Sequence, residues 1–337
     1  MTLRVLILAP FSGESLNRLR DAEVDVSYES WLESGELQDP EMLGHRINAE
    51  ETDAVVVEAD FLFGETFDAA PGLKFAGICR TATNQIDVEA ATARGILVVN
   101  TPGRNANAVA ELTLALMLAT ARRMAESDRY VRARKWESPT EPYSDLRGSE
   151  LNGKVAGIIG LGAIGRLVAG LCNAFGMQVL AFDPFVTPRE AEGLKVTWTE
   201  LDFMLEVADF VTLHAPPSGD GSPLLDSARM RRLKPGSILI NTASAELVDQ
   251  DALAQALRTG AIAGAGLDIF PSHPVEPSYP LLDMPNVVLT PHIGGATDET
   301  VARHSAAMTD DLLRFLRGER PCNLVNPAAW ERRRGQG

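Results

Sequence analysis

The sequence is poor in cysteine and does not begin with a long hydrophobic run. Its 337 residues include three cysteines, Cys79, Cys172 and Cys322, whose wide spacing argues against a disulfide framework and against a zinc site. The first apolar run, residues 3–8, is much too short for a signal sequence or a membrane span. We therefore expect a cytoplasmic protein without a metal site.

Positive charge is also scarce. The chain has 31 lysines and arginines against 46 aspartates and glutamates, which gives a formal net charge of −15 at pH 7. This excess of negative charge repels nucleic acid phosphates and anionic lipids, so neither a nucleic acid nor a membrane is an expected partner. A small anionic substrate would need a local cluster of positive charge.

Length and hydrophobic pattern predict two domains of the α/β class. A chain of 337 residues is too long for one typical core. Short runs rich in Val, Ile and Leu alternate with amphipathic segments of helical length, which is typical of parallel sheets covered on both faces. The candidate strands are residues 3–8, 54–58, 74–79, 96–100, 155–160, 178–183, 210–214, 237–241, 263–269 and 286–290.

Breaks in the pattern indicate where the chain is divided. Residues 100–124 pass from a Pro-Gly turn into a long helix, and residues 136–153 form a polar, proline-rich connection before a new strand. A last long helix, at about 297–317, lies beyond the final candidate strand and is placed to return to the first domain. The tail, residues 331–337, is predicted to be disordered.

The strongest motif is the segment "KVAGIIGLGAIGRLVAGLCNAFGMQVLAFDP". A strand runs into Gly160-x-Gly162-x-x-Gly165, a helix follows, and a second strand ends at Asp183. Glycines at this spacing permit a tight turn, close approach of a pyrophosphate and close helix packing, and the acid accepts hydrogen bonds from the adenine ribose. The segment predicts a dinucleotide site that prefers NAD, although Arg189 nearby leaves NADP as an alternative.

A histidine follows another apolar strand. In "LTPHIGGATDET", His292 stands beside two glycines at the expected carboxyl edge of a sheet, where an imidazole can act on a bound ligand as a general acid or base. His45, His214 and His304 lack such a setting, and we interpret them as structural residues.

Several motifs in order resemble the D-isomer-specific 2-hydroxyacid dehydrogenase family, which includes phosphoglycerate dehydrogenases and glyoxylate or hydroxypyruvate reductases. They are "GKVAGIIGLGAIGR", "LKPGSILINTA", "IAGAGLDIF" and "NVVLTPHIGGAT", and the resemblance covers roughly residues 70–326. It implies two Rossmann-like or flavodoxin-like domains with a cleft between them. The NAD-binding domain, residues 102–296, would be inserted into a split substrate-binding domain of residues 1–101 and 297–330. It also implies a homodimer through the NAD-binding domain, using the helix that begins near Asn105.

The resemblance implies an NAD-dependent oxidoreductase that acts on a small 2-hydroxy or 2-oxo acid, with His292 as a catalytic residue. The family's cofactor contacts carry over to the pyrophosphate turn, the ribose acid, the nicotinamide surroundings and the histidine loop. In this sequence they are Gly160, Gly162, Ala163, Ile164, Gly165, Asp183, Ala215, Pro216, Thr242, Ala243, Ser244, Asp268, His292, Gly294 and Gly295.

Two catalytic positions depart from the family pattern. Ser244 stands where the family has an arginine that polarises the 2-oxo group, and losing such a donor could cost roughly 10²-fold in rate. His273 stands where the family has the glutamate that orients the histidine, and the next acid, Glu276, would require a shift of three residues. We therefore predict that Ser244 and His273 belong to an altered catalytic set with His292.

A third departure lies in the substrate loop. The run "GICRTATNQID" replaces the family's glycine-rich "GRAGVGVDNID", and it brings Arg80, Thr81 and Ala82 to the end of a strand. An arginine beside hydroxyl groups there could grip a carboxylate or phosphate through charge-assisted bonds, although Arg80 could also be a solvated surface group. Arg104, in "TPGRNAN", is a second candidate substrate ligand.

These departures leave three functions open. Two adjacent histidines disfavour double protonation, so we predict that His292 gives up its proton easily and that oxidation is favoured over reduction. The protein is then a diverged dehydrogenase. One alternative is an enzyme that retains NAD for elimination, epimerisation or hydration, and the other is a non-enzymatic protein that senses NAD.

Overall fold

A computed structural model describes residues 2–134, 136–189 and 191–334. Its strands form two parallel sheets, which confirms the α/β class. The first sheet contains β1 (Arg4–Ile7), β2 (Asp25–Tyr28), β3 (Ala54–Val57), β4 (Phe75–Ile78) and β5 (Leu97–Val99). The second contains β6 (Val155–Ile159), β7 (Gln178–Phe182), β8 (Thr197–Trp198), β9 (Phe210–Leu213), β10 (Ile238–Asn241), β11 (Gly264–Leu267) and β12 (Val287–Leu289).

Helices lie in most of the connections between these parallel strands. They are α1 (Gly13–Asp21), α2 (Trp31–Ser34), α3 (Pro40–Ala49), α4 (Gly64–Ala69), α5 (Val88–Ala93), α6 (Ala106–Ala121), α7 (Met124–Arg132), α8 (Glu141–Asp145), α9 (Ala163–Ala174), α10 (Leu201–Val207), α11 (Ser227–Met230), α12 (Gln250–Arg258), α13 (Asp298–Leu316) and α14 (Pro327–Arg334).

The chain divides into two compact units. Unit 1 consists of Met1–Arg104 and Thr297–Gly337, and unit 2 is the continuous segment Asn105–Ala296. The first boundary lies at Arg104 rather than at residue 101, so residues 102–104 group with unit 1. Helix α13 also belongs to unit 1, so both ends of the chain form that unit.

The strand order of each sheet brings particular strand ends side by side. In unit 1 the order is β2-β1-β3-β4-β5, and in unit 2 it is β12-β11-β10-β9-β6-β7-β8. All of these neighbours pair in parallel. The carboxyl ends of the strands therefore share one edge in each sheet, where open α/β sheets bind ligands.

Both faces of each sheet are covered by apolar side chains. In β1, Val5 and Ile7 pack in one cluster with Met308 and Leu312 of α13, while Leu6 packs in another with Leu43 of α3. Successive residues of a strand point to opposite faces, so a strand buried on both faces reads as a continuous apolar run. This is why most strands were recognisable in the sequence.

Two edge strands and part of the tail differ from the sequence prediction. Strands β2 and β8 contain no fully buried residue, so they lack the apolar run that marks the inner strands. The prediction of disorder is wrong for residues 331–334, which continue α14. Arg332 Nη1 donates to the carbonyl oxygen of Thr92, and the Arg333 guanidinium lies 4.9 Å from the centre of the Phe315 ring. Residues 335–337 lie outside the described residues.

No helix in the described ranges is both long and apolar enough to span a membrane.

Candidate active site

The three glycines after β6 have different surroundings. Gly160 has a φ of 94°, and a Cβ added there would lie 2.6 Å from the carbonyl carbon and oxygen of His214. A Cβ on Gly165 would lie 2.0 Å from the Gly160 carbonyl oxygen. A Cβ on Gly162, the N-cap of α9, would meet nothing within 4 Å. The outer glycines therefore permit close packing, while the middle one leaves open space at a helix N-terminus, which fits a dinucleotide pyrophosphate.

Asp183, directly after β7, is held beside this turn by backbone donors. Its Oδ2 accepts a hydrogen bond from Leu161 N at 2.7 Å. Its Oδ1 accepts bonds from Phe185 N at 2.8 Å and from Val186 N at 3.1 Å. Oδ2, which accepts one of these three bonds, has a second lone pair, so the acid can still accept from a ribose hydroxyl. Arg189 is exposed.

Ala215 and Pro216 follow β9, directly after His214. His214 Nε2 lies 2.9 Å from the hydroxyl oxygen of Thr212, and His214 Nδ1 is buried with no hydrogen-bond partner among the described residues. Burial lowers the pKa of His214 to about 3. His214 is therefore neutral at physiological pH, in keeping with a structural role.

At the end of β10, Asn241 shapes the turn that follows. Its Oδ1 accepts from Ala243 N at 3.0 Å, and its Nδ2 donates to the Ser244 carbonyl oxygen at 2.7 Å. The hydroxyl oxygens of Thr242 and Thr113, on α6, lie 3.0 Å apart and are buried. The predicted nicotinamide-facing residues thus form a turn whose conformation is set from within unit 2.

Ser244 has a local partner for its hydroxyl. Its Oγ accepts from Glu246 N at 3.3 Å and caps the short 3-10 helix Ala245–Leu247. The residue is half-buried, and its short side chain brings a hydroxyl but no charge to this strand end. The charged group that the family places here is absent at this position.

Asp268, at the end of β11, organises the loop that carries His292. The carboxylate is 1% exposed and accepts from Thr290 Oγ1 at 2.6 Å, Ile293 N at 2.9 Å and Gly294 N at 2.8 Å. His292, in the middle of these donors, has a φ of 54°, in the left-handed region. The aspartate therefore stabilises a loop conformation that most residues avoid.

His292 and His273 are in direct contact. Nδ1 of His292 lies 3.2 Å from Nε2 of His273, and the ring centres are 5.0 Å apart. The buried ring of Phe270 lies edge-on to His273, with the ring centres 6.4 Å apart. Both residues are exposed, so a ligand can reach them.

All of the predicted cofactor positions lie at one edge of the unit 2 sheet. They follow the neighbouring strands β12, β11, β10, β9, β6 and β7, in the order in which the sheet arranges them. Gly295 lies in the same loop as His292, and a Cβ there would be 3.2 Å from Asn105 Nδ2. The remaining three positions, Ala163, Ile164 and Gly165, lie in the first turn of α9. Among the described residues, no group of three or more His, Cys, Asp or Glu side chains could hold a metal ion.

The predicted substrate residues lie in unit 1, after β4 and β5. Arg80 is half-buried, and its Nε is fully buried with no hydrogen-bond partner among the described residues. Burial lowers the pKa of Arg80, Glu58 raises it and Arg104 lowers it, so these three charges interact. Thr81 and Ala82 are exposed, and Thr81 Oγ1 accepts from Gly103 N at 3.2 Å.

Arg104 has a partner that sequence reasoning missed. Its Nη2 lies 2.6 Å from Glu58 Oε1, and both side chains are about nine-tenths buried. Its Nη1 lies 2.8 Å from Nδ1 of His304, on α13. Glu58 directly follows β3, the neighbour of β4, and its position at a strand end was the only sequence signal that could have singled it out.

Comparison with known proteins identifies the family. Residues 114–294 match the family model described as the NAD-binding domain of D-isomer-specific 2-hydroxyacid dehydrogenases. The chain is 42% identical over 267 residues to a glyoxylate reductase of Korarchaeum cryptofilum, which covers 79% of this chain and 80% of that protein. A crystal structure of a protein from Thermus thermophilus has a TM-score of 0.84 and 37% identity, and the match covers 96% of this chain and 100% of that one.

A longer relative shares the same core. The chain is 35% identical over 325 residues to a D-3-phosphoglycerate dehydrogenase of Archaeoglobus fulgidus, which covers 96% of this chain but 59% of that protein. The family match lies on the unit that carries the glycine turn, Asp183 and His292. It confirms both the resemblance and NAD as the cofactor. The chain belongs to the D-isomer-specific 2-hydroxyacid dehydrogenase family.

Proposed function

We propose that the protein is an NAD-dependent oxidoreductase that interconverts a small 2-hydroxy acid and the corresponding 2-oxo acid. The observation that carries this proposal is the shared sheet edge of unit 2. His292, the proposed acid or base, and Gly162, at the open end of α9, both lie on it. The glyoxylate reductase and phosphoglycerate dehydrogenase relatives support the same substrate class.

Three residues of unit 2 have separate roles in the proposed reaction. NAD, when bound, takes up or supplies the hydride at carbon 2 of the acid. His292 accepts the proton of the oxygen on that carbon during oxidation and donates it during reduction. His273, 3.2 Å away, orients the imidazole from the position where the family has a glutamate. Asp268 holds the loop through its three hydrogen bonds.

Arg80 is the proposed ligand of the substrate carboxylate. Its buried Nε lacks a hydrogen-bond partner among the described residues. A buried N–H group without a partner costs free energy, and a bound carboxylate would supply the missing acceptor. Arg104 is a weaker candidate because Glu58 and His304 already occupy its guanidinium. Thr81 and Ala82, exposed in the same loop, are proposed neighbours of the substrate. Ser244 is proposed to leave space at the catalytic centre rather than to supply charge.

A second function is favoured by Ser244. Because its hydroxyl caps a 3-10 helix and brings no charge, an enzyme that keeps NAD bound for a non-redox reaction also fits this site. Nucleotide released from the purified, denatured protein would distinguish the two. Tightly retained NAD with no net NADH formation supports the second function, whereas free exchange of the nucleotide with turnover supports the first.

The decisive experiment is NADH oxidation against a panel of 2-oxo acids, together with NAD reduction by the matching hydroxy acids. Wild-type protein and the Ser244→Arg variant are compared. Turnover by the wild type supports the proposed oxidoreductase. No turnover by the wild type, together with activity gained in S244R, would mean that the protein still binds the cofactor but has lost the redox activity.

The proposed partner is a second copy of the chain, joined through the NAD-binding unit. The segment after α6 exposes large apolar side chains, among them Met124, Val131, Trp136 and Tyr143, each more than half exposed. Sedimentation equilibrium of the wild type and of V131E would test this assignment, because a buried charge at the contact favours monomers. The proposed compartment is the reducing cytoplasm, since Cys79, Cys172 and Cys322 are unbridged.

A further inference from the structure

A glutamine fixes the turn that carries Ser244. Gln250, the first residue of α12, donates from Nε2 to the carbonyl oxygens of Ala245 at 2.9 Å and Val248 at 3.0 Å. These two contacts define which end of the side-chain amide faces the turn, because a carbonyl oxygen only accepts. Oε1 of Gln250 is therefore left as an acceptor for a group outside the turn.

Tyr279 supplies the donor for this acceptor. Its hydroxyl donates to Gln250 Oε1 at 2.7 Å. Burial raises the pKa of Tyr279 to about 12, so the hydroxyl keeps its proton at physiological pH. The half-buried ring packs against the apolar core of unit 2. The hydrogen bond therefore attaches the loop of residues 271–280, which follows β11, to the turn of Ser244 after β10.

Aromatic contacts extend from Tyr279 to the two histidines. The Tyr279 ring lies edge-on to the buried Phe270 ring, with the ring centres 5.8 Å apart and an angle of 88° between the planes. Phe270 in turn lies edge-on to His273, and His273 Nε2 lies 3.2 Å from His292 Nδ1. Edge-to-face contacts are directional. His273 itself is exposed, so its position depends on the residues that hold its loop.

We propose that Tyr279 is a positioning residue that holds His273 against His292. Through its bond to Gln250, Tyr279 also ties the two histidines to the turn of Ser244. The inference rests on the proposed function, in which His292 transfers the proton and Ser244 lies at the catalytic centre. Tyr279 acts in this role only through its neighbours, by keeping the proton-transfer group and the turn after β10 in one fixed arrangement.

Removal of the Tyr279 hydroxyl should displace His273 and leave the fold intact. In Tyr279→Phe the ring keeps its contact with Phe270, whereas the loop loses its bond to Gln250. His273 then samples positions away from His292, and a displacement of about 1 Å can cost up to about 10²-fold in rate. We expect kcat for 2-oxo acid reduction to fall about 10-fold with the KM for NADH unchanged, because the glycine turn after β6 is untouched.

The test combines steady-state kinetics with NMR spectroscopy of the NAD-loaded protein. The ring centres of His273 and His292 are 5.0 Å apart, so their ring protons should show a nuclear Overhauser effect in the wild type. We expect this signal to weaken or disappear in Y279F. Retention of the signal, or a kcat equal to that of an active wild type, would overturn the inference. If the wild type turns over no acid of the panel, the proposed function fails, and the NMR signal alone then decides the positioning role.

A double-mutant cycle tests the connection through Gln250. Gln250→Met removes the acceptor of the Tyr279 hydroxyl, so Y279F should cause no further loss of kcat in the Q250M background. Losses that multiply in the double variant would contradict this connection.

Tyr130→Phe is the matched control. It also removes a tyrosine hydroxyl of unit 2, one that has no hydrogen-bond partner among the described residues. Y130F should match the wild type in kcat and in the NMR signal of the two histidines. Thermal melts of all variants with and without NAD verify that each protein is folded. An equal loss of kcat in Y130F would contradict a specific role of Tyr279.

Discussion

His273 and His292 face each other across 3.2 Å between Nε2 and Nδ1. A hydrogen bond between two imidazoles requires one nitrogen to donate and the other to accept. Both rings therefore cannot donate across this contact at the same time. A family glutamate at position 273 would instead accept from His292 and favour its protonated form.

This contact predicts how reduction depends on pH. A carboxylate at position 273 would favour the His292 imidazolium that donates the proton in reduction, so reduction by His273→Glu should persist to higher pH than reduction by the wild type. We expect H273E to raise the pH of half-maximal reduction by about one unit, since a nearby carboxylate stabilises the imidazolium. The measurement is kcat/KM for 2-oxo acid reduction from pH 5.5 to 9. H273N is the uncharged control, and identical profiles for H273E and H273N would refute the electrostatic role.

Arg80 is expected to control substrate binding. Replacing it with alanine removes the proposed carboxylate ligand, so kcat/KM should fall by about 10²-fold, and R80K should recover part of the loss as a point charge without the planar fork. Steady-state kinetics with the best substrate of the panel measures both. Arg18, exposed and paired with Asp310, supplies the control R18A. If kcat/KM falls no further in R80A than in R18A, Arg80 does not bind the substrate.

Substitutions at two glycines of the turn after β6 distinguish an effect on folding from an effect on cofactor binding. In Gly165→Ala the new Cβ would lie 2.0 Å from a backbone oxygen, so we expect the free energy of unfolding to fall by about 3 kcal/mol. In Gly162→Ala the Cβ points into open space, so the fold should persist while NAD binding weakens. Thermal melts and NAD titration of both variants measure the two effects. Undiminished NAD affinity in G162A would argue against a pyrophosphate at this turn.

Features formed by residues that are close together in the sequence could be predicted. Features formed by residues that are far apart in the sequence could not. The glycine turn, Asp183 and the inner strands form within short segments, so local patterns revealed them. The Glu58–Arg104 pair joins residues of two different loops, and His304 completes it from 200 positions beyond Arg104. No local pattern encodes that pairing, because it depends on α13 returning to unit 1.

The same limit applies to Ser244 and the tail. The sequence shows that a charge is missing at Ser244, but its role as the cap of a 3-10 helix depends on how the turn after β10 folds. The end of α14 carries several arginines, a composition typical of disorder. Arg332 stabilises this helix by donating a hydrogen bond to the carbonyl oxygen of Thr92, and Arg333 does so by packing its guanidinium over the Phe315 ring. Composition cannot reveal these contacts because Thr92 and Phe315 are distant in the sequence.

His214, a half-buried residue whose Nδ1 is buried, predicts that the protein loses stability as the medium becomes acidic. Its pKa is lowered by burial from 6.5 to about 3, so below pH 6.5 the unfolded chain takes up a proton that the native state does not. Stability from this residue is complete above pH 6.5 and declines as the pH falls, by at most about 1.4 kcal/mol per unit. Urea unfolding at intervals from pH 7.5 to 5.0 measures the slope, which H214Q should reduce. His45, whose side chain is 70% exposed, provides the control H45Q. Equal slopes in wild type and H214Q would mean that His214 is protonated in the native state.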